Sequence, residues 1–148
     1  MKKGKVLLMI FCIALILVGC GQNGPESEIS LSEFNLAGVT EITLNNCHNG
    51  EKTTLTDAED IAAVTDFLQS VTGADPQSGK GYYEGSYVVQ LYRDGEEVLS
   101  IGFGDSDCFY MGDFGDGYPA RYVLTDITVS SDVIPFFSRY DESGFVWE

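Results

Sequence analysis

The chain has 148 residues, 44% hydrophobic and 12% aromatic, which suffices to bury one core in a single domain of common size. Its 23 acidic residues against 8 Lys and Arg leave a formal charge of −15, which argues against nucleic acid as a partner, because phosphate binding needs clustered cations. The same balance disfavours adhesion to anionic lipid, which attracts basic residues at about 1 kcal/mol each.

At the N-terminus, Lys2, Lys3 and Lys5 precede the apolar run from Val6 to Val18. This is the layout of a secretory signal, since such a run reaches roughly 20 Å as a helix and falls short of the ~30 Å hydrocarbon core. Leu17-Val18-Gly19-Cys20 follows, and here the chain resembles bacterial lipoproteins, whose lipobox ends in an obligatory cysteine. The resemblance implies cleavage between Gly19 and Cys20, acylation of Cys20 with chains such as palmitate, and a place on the extracytoplasmic side of the bacterial cell membrane, in the cell envelope. Two acyl chains pass the threshold at which one chain binds only marginally. Residues 1–19 are thus expected to be a signal peptide. Their loss removes three lysines and no acid, bringing the charge to −18.

Residues 20–38 are rich in Gly, Asn, Ser and Glu and read as the lipidated Cys with a flexible tether, whose Leu31, Phe34 and Leu36 are able to pack back on the domain. The single folded domain is expected over 39–148. Val39–Leu44 alternates, Asn49-Gly50 supplies a turn and Lys52–Leu55 resumes extended character, which predicts a hairpin. Thr56 and Glu59 form a capping box opening a helix in which Ile61, Val64, Leu68 and Val71 share a face, until Gly73 stops it.

Beyond a loop rich in Gly, Ser and Asp, Gly85–Arg93 and Glu96–Phe103 flank the tight turn Asp94-Gly95. Cys108–Met111 and Ala120–Leu124 read as two further strands, and Ser130 or Ser131 caps a last helix holding Val133, Phe136 and Phe137. The expected fold class is α+β: an antiparallel sheet of about five to six strands, order ββαββββα, with one or two helices packed on one face. In outline it is similar to small exported domains of unknown function, without a motif that singles one out.

Four groups of residues invite chemistry. Cys47 and Cys108 remain once Cys12 leaves with the signal and Cys20 is acylated; in an exported chain they are candidates for a disulfide contributing roughly 4 kcal/mol, or for two inert thiols. Asp105, Asp107, Asp113 and Asp116 fall in adjacent turns and are weak candidates for Ca²⁺, a hard cation that wants several carboxylates. The EF-hand pattern fails, however, since its sixth position is Tyr110 where Gly is required, and Asp and Gly are also what tight turns need. His48 beside Cys47 makes no convincing pair, because strand neighbours point to opposite faces.

The aromatics Tyr82, Tyr83, Tyr92, Phe114, Tyr118 and Tyr122 form the fourth group. With Tyr92 and Tyr122 on the sheet face away from the helices, and the others on its loops, they offer rigid contact area for a partner. Cross-strand packing accounts for them as well. No zinc motif, nucleophile elbow or phosphate loop is present. The expectation is a membrane-anchored, non-enzymatic binding module for a protein or small ligand, without a cofactor; the alternatives are a Ca²⁺-stabilised domain and an envelope hydrolase.

Overall fold

The computed structural model describes residues 28–78, 85–104, 106–112, 117 and 119–142, with the backbone alone at 75, 77 and 78. In chain order it has β1 (Ile29–Ser30), a 3-10 turn (Leu31–Glu33), β2 (Glu41–Asn46), β3 (Lys52–Leu55) and α1 (Ala58–Gln69). Then come β4 (Thr72–Ser78), β5 (Gly85–Arg93), β6 (Glu96–Gly104), β7 (Cys108–Met111) and β8 (Ala120–Leu124). A π-helical turn (Val129–Val133), α2 (Ile134–Phe137) and a 3-10 turn (Ser138–Tyr140) complete the described chain. The strands form one antiparallel sheet in the order β1-β4-β8-β7-β6-β5-β2-β3.

The expected fold class is corrected by this sheet, which has eight strands where five to six were expected, with one full helix and one short one. Both additional strands come from segments whose composition says loop. β1 lies in the stretch read as tether, and β4, Thr-Gly-Ala-Asp-Pro-Gln-Ser, lies just past the helix. Non-local pairing overrides their weak propensity: β4 docks on β8, and β1 on β4. Pro76, which cannot donate to a ladder, sits where the β4–β8 register shifts between Ala74 and Gln77, and beyond the two residues that β1 covers.

The helix start differs from expectation too. Asp57 is the N-cap, its Oδ1 accepting from the Glu59 backbone N–H at 2.9 Å, in place of Thr56. Asp94 and Gly95 take positive φ values of 52° and 84°, the geometry that a two-residue hairpin between β5 and β6 requires.

One face of the sheet carries the core. Ile42, Leu44, Tyr87, Val89, Leu91, Ile101, Phe103 and Phe109 are buried there against Val64 and Leu68 of α1 and Val129, Val133 and Phe137 of the C-terminal helical segment. Phe137 lies 5.4 Å from Tyr87 and 5.9 Å from Phe103, ring centroid to centroid, at offset angles that aromatic quadrupoles favour. Leu31 and Leu36, from the stretch read as tether, belong to the same core. The end of the described chain is tied to the β2–β3 end of the sheet: Asp141 Oδ2 accepts from the buried Tyr87 hydroxyl at 2.6 Å and from Asn46 Nδ2 at 2.9 Å, while Thr53 Oγ1 donates to the Tyr140 carbonyl at 3.3 Å.

Candidate binding face

With the helices on one side, strand alternation turns Val88, Gln90 and Tyr92 of β5 to the other. The register aligns Val88, Gly102, Tyr110 and Arg121 in one row across β5, β6, β7 and β8. Gly102 brings no side chain to that row, so between Val88 and Tyr110 the floor is backbone. A cleft of about 280 Å³ forms there, lined by Val88, Ser100, Gly102, Tyr110, Met111, Gly112 and Pro119. It approaches the small end of the range for ligand sites, roughly 300–1,000 Å³, and shares their mostly apolar lining with a few polar groups. Val123, also on this face, is 37% exposed, high for a large apolar side chain here.

Beside the cleft stands a polar cluster. The buried Cys108 thiol donates to the Tyr110 hydroxyl at 3.6 Å, and the Arg121 guanidinium lies against both. The Cys108 contact is the foremost cause of a raised Arg121 pKa, and Tyr110 adds to it. The Tyr110 phenol is itself pushed up, first by burial and then by its hydrogen bond to Cys108, with Arg121 opposing. Other arginines are committed elsewhere: Arg93 Nη2 donates to the Asn35 carbonyl at 2.8 Å, and Arg139 stacks 3.8 Å over the Phe136 ring.

A larger cavity of about 460 Å³ lies on the helix side, between residues 36–40 and α1. Two of its hydroxyls are engaged in local structure: Thr65 donates to the Ile61 and Ala62 carbonyls, and Thr40 bonds the Tyr92 carbonyl and the Asp94 N–H. The open face, where register gathers a row of side chains beside a polar cluster, is the stronger candidate.

The residues expected from sequence distribute unevenly. Tyr92 is on the open face, but four positions from Val88 along β5, about 13 Å from the cleft. Tyr122 is on the opposite face from the one expected: it pairs with Phe109 in the sheet and stacks on that buried ring, centroids 5.1 Å apart. Tyr82, Tyr83, Phe114 and Tyr118 lie outside the described residues, as do Asp105, Asp113, Asp116 and Cys20, where acylation was expected.

Asp107 takes φ 49° in the turn before β7, and its Oδ1 accepts from the Val129 N–H at 2.7 Å, which makes it a cap for the π-helical turn. Among the described residues no group of three or more His, Cys, Asp or Glu is placed to hold a metal ion. Of the two readings of Cys47 and Cys108, the disulfide is not formed. Cys47 follows β2 and Cys108 opens β7, with β5 and β6 between them, a gap of three strand spacings or about 14 Å, twice what a disulfide spans. His48 is exposed in the β2–β3 turn.

The cleft residues Val88, Ser100, Gly102 and Tyr110, and Arg121 beside them, were not singled out from sequence as a site. Nothing local marks them, because they meet only through cross-strand register. The one available signal was Gly102 inside a strongly patterned strand, a position that asks for a close approach.

No family model matches the chain. In fold it resembles a Clostridium perfringens protein known from its crystal structure and described as a lipoprotein, with a TM-score of 0.52 and 18% identity over 76% of this chain and 96% of that one. In sequence it is 26% identical over 128 residues to a neutral protease of Vibrio proteolyticus, covering 78% of this chain. The chain spans 21% of the length of that protease. Among the described residues, no helix is long and apolar enough to cross a membrane.

Proposed function

We propose that the protein is an extracytoplasmic lipoprotein, held to the bacterial membrane through acylated Cys20, whose domain binds a ligand on the open face of its sheet without catalysing a reaction. The observation that carries the binding role is the cleft over Gly102, where a row of aligned strands leaves apolar walls and oriented hydroxyls facing away from the core. The anchor is supported by the run of Leu17-Val18-Gly19-Cys20 and by the lipoprotein of similar fold.

A hydrolase would want an acid and a base facing each other across a cleft. Among the described residues, the side chains lining this one are Val88, Ser100, Tyr110, Met111 and Pro119, a set suited to holding a molecule. The similarity to the neutral protease, over 21% of that protein, brings no catalytic role with it.

The test is capture from native membranes with the full-length protein, comparing wild type with Gly102→Val and Val88→Arg, which fill the cleft. Loss of the captured molecule, with an unchanged melting temperature, supports the reading. Unchanged capture by both variants removes the open face as the binding site.

A further inference from the structure

We propose that the open-face cleft takes a small molecule with an apolar body and one anionic group, a carboxylate or a phosphate, and that Arg121 pairs with that charge. The inference rests on the binding role proposed above and adds the class of ligand to it. It starts from the company Arg121 keeps. In a chain of charge −15, the described groups that act on this guanidinium are the Cys108 thiol and the Tyr110 phenol, with no described carboxylate among them.

Geometry brings Arg121 within reach of the cleft. Tyr110, a wall of the cleft, is its direct partner in the β7–β8 register, so their Cβ atoms lie about 4.5–5.5 Å apart. A guanidinium on a flexible apolar stem can extend across the Tyr110 ring to the space above Gly102. The present contacts do not hold it back, because bonds to a carboxylate or phosphate oxygen are shorter and roughly twice as strong as those to neutral acceptors. An arriving anion replaces the thiol and phenol as partner.

The remainder of the ligand is specified by the floor and walls. Gly102 lets an apolar body lie on backbone between Val88 and Tyr110, while the Ser100 hydroxyl and the Tyr110 phenol give it a direction. Because the rest of the domain is acidic, the local charge of Arg121 is opposed at longer range, and binding should weaken as salt screens the pair.

The experiment follows the Gly102 amide resonance of the full-length protein in detergent micelles during titration with hexanoate, butyl phosphate and the neutral hexanamide. We expect saturable shifts with at least one of the two anions binding about tenfold or more tighter than the amide, a difference that Arg121→Gln abolishes and Arg121→Lys retains in part. Which anion binds tighter separates carboxylate from phosphate. Equal binding of anions and amide overturns the charge assignment while leaving the cleft as a site; no saturation with any probe overturns the inference altogether, and the binding role is then judged by the Val88 and Gly102 variants. A preference that survives Arg121→Gln also overturns it. If the Gln variant does not fold, Arg121→Met, of similar length and without charge, carries the comparison.

Discussion

Gly73 shows how tightly single residues are set in this sheet. A Cβ built there would stand 2.4 Å from Phe109 Cε1 and 2.9 Å from Tyr122 Cβ, so the glycine that resembles a helix stop in sequence is the gap into which the Phe109 ring fits. Gly73→Ala is expected to cost about 1–3 kcal/mol by overpacking, measured as a shift of the urea midpoint at constant slope; an unchanged midpoint would show that the ring moves freely. Asp107 has two separable duties, its left-handed backbone and its cap on Val129. Asn serves both, so Asp107→Asn should be nearly neutral, whereas Asp107→Ala should lose roughly 1–2 kcal/mol. The tyrosines give a pH dependence. Burial is the first cause of the raised pKa at both Tyr110 and Tyr140, so the folded state favours the neutral phenol. Their contribution is fully present below the ordinary tyrosine pKa near 10 and is lost as pH rises through the higher folded values. Stability should fall above about pH 10, and the double variant Tyr110→Phe, Tyr140→Phe should flatten that fall in pH-dependent unfolding.

At the scale of elements, the N-terminal stretch is part of the fold. Residues 29–38 supply β1, which pairs with Thr72 and Gly73, and Leu31 and Leu36, which are buried in the core. Leu31→Ala is expected to lose about 2–5 kcal/mol, and a fragment beginning at residue 39 should melt well below one beginning at 28; equal melting temperatures in calorimetry would mean this edge adds nothing. What the sequence made legible follows from the same physics. The helix over 58–69 and the β5–β6 hairpin announce themselves because their patterns are local: a 3.6-residue stripe with an acidic cap, and alternation around Asp94-Gly95. β4 was illegible, since Asp75, Pro76 and Ser78 favour a turn and only the neighbouring β8 makes them a strand. Tyr122 misled for a related reason. Its face depends on the register with Phe109, and a one-residue change of register turns every side chain of a strand over. The cleft was hidden for the same cause: Val88, Gly102, Tyr110 and Arg121 are scattered through 34 positions of sequence and share one row.

For the whole molecule, the sheet order places β1 at one edge and β3 at the other, about 34 Å apart at seven strand spacings. On the proposed reading the chain enters at β1 from Cys20, nine residues upstream of Ile29, a link of at most roughly 30 Å. That end of the sheet is therefore held towards the bilayer, while Gly102 on β6, at the floor of the cleft, sits four spacings away from it. Acidity reinforces the arrangement, because residues 20–148 carry a charge of −18 and are repelled by anionic headgroups, so on the proposed reading the acyl chains do the holding. The consequence is a clean separation of anchor and fold. Cys20→Ser should remain in the supernatant when mixed with vesicles containing phosphatidylglycerol at low salt, where surface charge is least screened, while the acylated protein sediments with them. Because the described sheet begins at Ile29, the variant should keep the wild-type melting temperature. Sedimentation of Cys20→Ser with the vesicles would show that the domain itself has affinity for the bilayer, and would place the membrane contact on a surface other than the lipid.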